Sequence, residues 1–190
     1  MLTNKQKIIN VTTNYLTELV DRKLNRAFWS WFGSSKIKNG SDPLVLYHGS
    51  KNKFDSFDTK KKGSATDSGL RGRGFYFSTN LRTAQSYGQH VYEVYLKIEK
   101  PFDMLSFNSL EEIIELLEID SSIMYERGRG TKFHSISVSS SFSGVFSGAV
   151  RELGYDGIIH GQEFVCFDAD QIKSVENDGS WDKNDINMFS

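Results

Sequence analysis

Residues 44–54, LVLYHGSKNKF, carry four apolar side chains straight into a histidine, a glycine and a serine. Residues 44–48 read as a buried strand, and period two puts Leu44, Leu46 and His48 on one face. An imidazole at the end of an apolar stripe is either a satisfied core histidine or a group at the rim of a cleft. Gly49, directly after it, lets a ligand approach the backbone closely and tilts the choice toward the cleft.

Two further stretches bear on that choice. In GLRGRGFYFSTNLRTAQSYG, residues 69–88, three glycines within six residues lead into an aromatic strand at 74–78 and a short helix at 81–87. No strand enters these glycines and no long helix leaves them, so they are not a dinucleotide fingerprint. Tyr76 shares a face with Ser78 rather than with Phe75 and Phe77, which lets its ring look into a cleft. Tyr87 follows on the helix. Arg71 and Arg73 are either phosphate ligands or solvated surface charges. In GQEFVCFDADQI, residues 161–172, Phe164 and Cys166 occupy one face and Val165 and Phe167 the other, as in a central strand. Glu163 opens that strand, where a carboxylate is costly unless it is paired or used.

Around these stretches the pattern is α+β. Residues 5–32 read as a helix ending in the aromatic cluster FWSWFG, which fits packing onto a sheet better than partner binding. A strand at 91–98 shares Tyr92, Val94, Leu96 and Ile98 on one face; helices are expected at 108–118, capped by Asn108 or Ser109, and at 144–153. Two strands with a short turn follow within 155–168. The polar segment 51–73 is long enough to be functional or disordered. Residues 177–190 are frayed or dock through Trp181 and Phe189. The division expected is an N-terminal helical element at 1–40, a catalytic domain at 41–176 and a polar tail at 177–190.

Composition narrows the function classes. The 190 residues suit one domain, and the lone Cys166 excludes an internal disulfide and suits a reducing compartment such as the cytoplasm. No apolar run approaches the ~18–20 residues of a membrane span, and no secretory signal is visible. His48, His90, His134 and His160 lack ligand-like spacing, so no metal site is expected. Residues 1–90 hold 15 Lys and Arg against 6 Asp and Glu, a balance of +9, whereas 91–190 hold 8 against 18, a balance of −10. A basic half attracts phosphate, or docks against the acidic half.

LYHGS, GRGFYFS…AQSYG and QEFVCFDADQI, in this order, resemble ADP-ribosyltransferases of the His-Tyr-Glu class, which includes the diphtheria-toxin and poly(ADP-ribose) polymerase catalytic domains. WSWFGSSKI followed by PLVLYHGS is similar to the ADP-ribosyltransferase domains in polyvalent proteins of phages and mobile elements. The resemblance implies a split, mainly antiparallel β-sandwich with an N-terminal helix and inserted helices, and NAD+ as substrate. It implies that His48 bonds the adenosine-side ribose, that Gly49, followed by Ser50, receives the nicotinamide amide, that Tyr76 and Tyr87 flank the nicotinamide, and that Glu163 bonds the nicotinamide ribose. Arg71 or Arg73 would meet the pyrophosphate. Two departures stand out. Ala84 replaces the serine that polymerases use on the amide, and Gly161 stands where arginine-modifying toxins carry a second glutamate.

The function expected is single transfer of ADP-ribose to a macromolecule, a protein in preference to a nucleic acid, by a monomeric toxin- or effector-like enzyme. The acceptor would meet 154–162 with help from 134–143. Two alternatives stay open: a NAD glycohydrolase, and a silent module that binds NAD, ADP-ribose or a partner.

Overall fold

A computed structural model of the chain describes residues 3, 5–6, 24–62, 69–108, 110–126 and 136–190. Most of the helix expected at 5–32 lies outside these residues. Its described end is α1 (Arg26–Phe32), capped by Asn25, whose side chain accepts from the Phe28 N–H at 3.0 Å.

A seven-stranded sheet organises the rest. Its members are β3 (Leu46–Ser50), β4 (Phe75–Ser78), β5 (His90–Leu96), β6 (Pro101–Asp103), β9 (Gly157–His160), β10 (Glu163–Cys166) and β11 (Ile172–Ser174). The order is β11-β5-β3-β4-β10-β9-β6, and every neighbouring pair is antiparallel except β6 with β9. Two hairpins stand apart: β1 (Lys38–Asn39) with β2 (Asp42–Pro43), and β7 (Met124–Glu126) with β8 (Ile136–Val138). Among the described residues, three inserted helices complete the α+β fold: α2 (Leu81–Tyr87), α3 (Leu110–Leu117) and α4 (Ser143–Glu152).

Alternation along the central strands builds a core on each face of the sheet. Phe75, Phe77, Phe164 and Cys166 join Leu46, Val94, Leu96 and Ile98 in one cluster; Val165 and Phe167 join Phe102, Phe146, Val150 and Ile158 in the other. Each fully buried Phe, Leu or Ile contributes about 1.5–3 kcal/mol relative to exposure, so a one-residue slip of β4 or β10 would forfeit both clusters. Tyr76 packs with the second cluster, on the face opposite Phe75 and Phe77.

Phe28, Trp31 and Phe32 of α1 form a third cluster with Trp181, whose ring lies 4.8 Å from that of Phe28. The aromatic end of the helix is therefore core. Residues 177–190 dock: Trp181 and Met188 are buried, and Phe189 packs on the first cluster. The buried Lys173 of β11 fastens this segment, its ammonium donating to the carbonyls of Asp185 (3.0 Å), Asn187 (2.7 Å) and Ser190 (2.6 Å).

Candidate active site

The sheet opens between β3 and β4. These strands share one register pair, Tyr47 with Ser78, whereas β3 pairs with β5 over five residues and β4 with β10 over four. Past Tyr47 the two strands part. The wedge between them is a cavity of about 400 Å³, within the range of small-molecule sites.

Helix α2 closes one side of it. Asn80 caps the helix by accepting from the Arg82 N–H at 2.9 Å, and α2 lies directly across β3. The crossing depends on missing side chains: a β-carbon on Gly88 would fall 2.0 Å from the carbonyl carbon of Ser50. Thr83, Ala84 and the half-exposed Tyr87 thereby line the cavity.

His48 spans the opening from the β3 side. Its Nδ1 lies 2.8 Å from the carbonyl oxygen of Tyr76; since a carbonyl only accepts, Nδ1 carries the proton and Nε2 the lone pair. The rings of Phe57 (4.9 Å) and Phe77 (5.5 Å) surround it. Burial pushes the imidazole pKa down, and the bond to Tyr76 opposes that shift only in part. The histidine is thus both a packed residue and a wall of the cavity.

Tyr76 and Glu163 line the same cavity from β4 and β10. The Tyr76 hydroxyl donates to the Gly72 carbonyl at 2.6 Å and accepts from the Arg71 N–H at 2.9 Å. Glu163 sits opposite Ser78 in the β4–β10 ladder and opposite His160 in the β9–β10 ladder. Its Oε2 accepts from Arg71 Nε at 3.0 Å and lies 3.9 Å from His160 Nδ1. The carboxylate at the start of the central strand is therefore paired, and its side chain is still 36% exposed toward the cleft.

His48, Gly49, Ser50, Tyr76, Tyr87 and Glu163 are thus brought to one cavity, but Arg71 and Arg73 do not line it. Arg71 turns to Glu163, and the Arg73 N–H donates to Ser147 Oγ at 2.7 Å, at helix α4. Among the described residues, the cationic ones along the cavity are Lys51, Lys53 and Lys61. Sequence reasoning passed over them, although KNK directly follows the His-Gly-Ser of β3 and was the available signal. The Ser50 hydroxyl accepts from the Asn52 N–H at 3.2 Å, which turns the chain toward those lysines.

Two tyrosines, a histidine and a carboxylate wall this cleft, with lysines along one side. The family model for ADP-ribosyltransferase in polyvalent proteins matches residues 38–182. The chain belongs to this family of ADP-ribosyltransferase domains, whose substrate is NAD+. No curated protein matches it. One solved structure, described as "Crystal structure of an anti-CRISPR protein", is similar at 17% identity and a TM-score of 0.38, over 70% of this chain and 94% of that one. Among the described residues, no helix is long and apolar enough to cross a membrane.

Proposed function

We propose that the protein is a mono-ADP-ribosyltransferase that cleaves NAD+ in this cleft and transfers ADP-ribose to a macromolecular acceptor, a protein. The convergence of His48, Tyr76, Tyr87 and Glu163 on one cavity carries the reading. In it, nicotinamide sits against Tyr76 and Tyr87, whose rings hold a flat leaving group at low entropy cost. His48 Nε2 accepts from a hydroxyl of the adenosine-side ribose. Lys51, Lys53 and Lys61 replace Arg71 and Arg73 as the partners of the pyrophosphate.

The nicotinamide–ribose C–N bond breaks with its electron pair leaving on neutral nicotinamide. The anomeric carbon, now electron-poor, takes a pair from the acceptor's nucleophile, whose proton passes to water. A fixed carboxylate at Glu163 stabilises the positive charge that develops in between. The β9–β10 turn at Gly161 and Gln162 adjoins Glu163 and would meet the acceptor.

Nicotinamide release from labelled NAD+ by wild type and Glu163→Gln, with and without cell lysate, tests this. Release that needs lysate, is lost in the variant and leaves label on protein is the expected result. Release in buffer alone without labelled product would make the protein a glycohydrolase. No release under either condition would leave a nucleotide-binding module.

A further inference from the structure

We infer that Arg71 is a positioning residue for Glu163: it holds the carboxylate by one oxygen and leaves the other to the ribose. The inference rests on the transferase reading and adds a residue to it. Arg71 Nε donates to Oε2 at 3.0 Å, His160 Nδ1 flanks the same oxygen at 3.9 Å, and no donor among the described residues reaches Oε1. A hydrogen bond from a fixed donor to one oxygen presents the second in a fixed direction.

Arg71 is suited to this because it is itself held. Its Nη1 donates to the Ile136 carbonyl, to Ser137 Oγ at 3.0 Å and to the Leu70 carbonyl at 3.4 Å, and its side chain is 11% exposed. A planar guanidinium fastened at Nη1 has its Nε direction fixed as well, which a lysine ammonium could not reproduce. Solvated ion pairs between mobile side chains contribute little order; here the arginine is mostly buried and anchored at β8. The backbone of the same loop bonds the Tyr76 hydroxyl through Arg71 N–H and the Gly72 carbonyl. One short loop therefore aligns both the tyrosine and the carboxylate. Serving as a phosphate ligand instead would require Arg71 to abandon Ile136, Ser137 and Glu163 together.

Steady-state nicotinamide release by wild type, Glu163→Gln, Arg71→Ala and Ser137→Ala tests this. Displacing a reacting group by about 1 Å costs on the order of a hundredfold, so Arg71→Ala should lower kcat by about 10- to 100-fold. KM for NAD+ should stay within about twofold, since only transition-state alignment is lost. Low millimolar guanidinium should restore part of the kcat of Arg71→Ala, which a merely structural defect would not permit. An unchanged kcat, or a raised KM with kcat intact, overturns the inference. If Arg71→Ala does not fold, Ser137→Ala decides: a lowered kcat at unchanged melting temperature supports the anchor, and an unchanged kcat overturns it. An inactive wild type removes the transferase reading and this inference with it. An active wild type, an inactive Glu163→Gln and a fully active Arg71→Ala remove this inference alone.

Discussion

A β-carbon built on Gly49 falls 1.7 Å from the carbonyl oxygen of Ala84, so strand β3 and helix α2 meet where no side chain fits. The contact is with backbone and cannot yield by a rotamer change. Gly49→Ala must push α2 away from the cavity it lines, at a cost of about 1–3 kcal/mol for the overpacking. Gly148, within α4, has nothing within 4 Å of its β-carbon position. Gly148→Ala is expected to stabilise by about 0.5–1 kcal/mol through helix propensity. Urea unfolding of the two variants should move the midpoint in opposite directions.

Acid should weaken the fold through His48. Its folded pKa lies below the ordinary value of 6.5 because burial disfavours the imidazolium. Well above pH 6.5 neither the folded nor the unfolded chain carries that proton, and the histidine exerts no pH dependence. As the pH falls below 6.5 the unfolded chain binds the proton first, so stability drops until the folded pKa is passed. The difference in unfolding free energy between wild type and His48→Gln, followed from pH 8 to pH 5, should tilt in this sense. A difference that stays flat would contradict the burial of the ring.

Lys173 answers for the docking of residues 185–190. Its buried ammonium is the donor to three carbonyls of that segment. Lys173→Met would leave those acceptors without a donor in a buried place, costing about 3 kcal/mol or more. Limited proteolysis should then cut near 185–190 before the rest of the domain, and the urea midpoint should fall. Equal proteolysis of wild type and variant would show that Met188 and Phe189 suffice.

Tyr87 offers the opposite profile, a change in binding without a change in stability. It lines the cavity yet is 45% exposed, so little of the core depends on it. Loss of one stacking face is worth about 0.5–1.5 kcal/mol, which converts to roughly 2- to 12-fold weaker NAD+ binding by Tyr87→Ala. Calorimetric titration checks the affinity, and a thermal scan should show an unmoved midpoint.

Much of the centre of the molecule was legible because its residues alternate cleanly. Phe75, Phe77, Phe164 and Cys166 on one side and Val165 and Phe167 on the other declare a strand with two buried faces, and they fall into the two clusters that way. Helix α2 matches the expected 81–87, with Asn80 as its cap. The first strand is displaced: residues expected at 44–48 pair as Leu46–Ser50, because Leu44 is taken up by a backbone bond to Ile37. Strands β6, β7, β8 and β11 were not foreseen, since three residues each are too short to show a period. The expected cap Ser109 lies outside the described residues, and Glu112 reaches back to the Asn108 N–H at 2.7 Å.

The placement of Arg71 was beyond sequence reasoning for a different reason. Its partners Ile136, Ser137 and Glu163 lie 65, 66 and 92 residues along the chain, and no local pattern encodes them. Charge type alone pointed to phosphate. The distant contacts decided which anion the cation would meet.

The parting of β3 from β4 has a consequence for how the molecule keeps to itself. Unpaired strand edges invite pairing with other chains, and proteins ordinarily hide or blunt them. Here two such edges face each other across a gap, joined at Tyr47 and Ser78 and spanned by His48. The gap lies inside the sheet, between strands already paired on their other sides, where the edge of another sheet does not reach. The same backbone that would be an aggregation hazard on the rim becomes, in the middle of the sheet, the wall of a cavity.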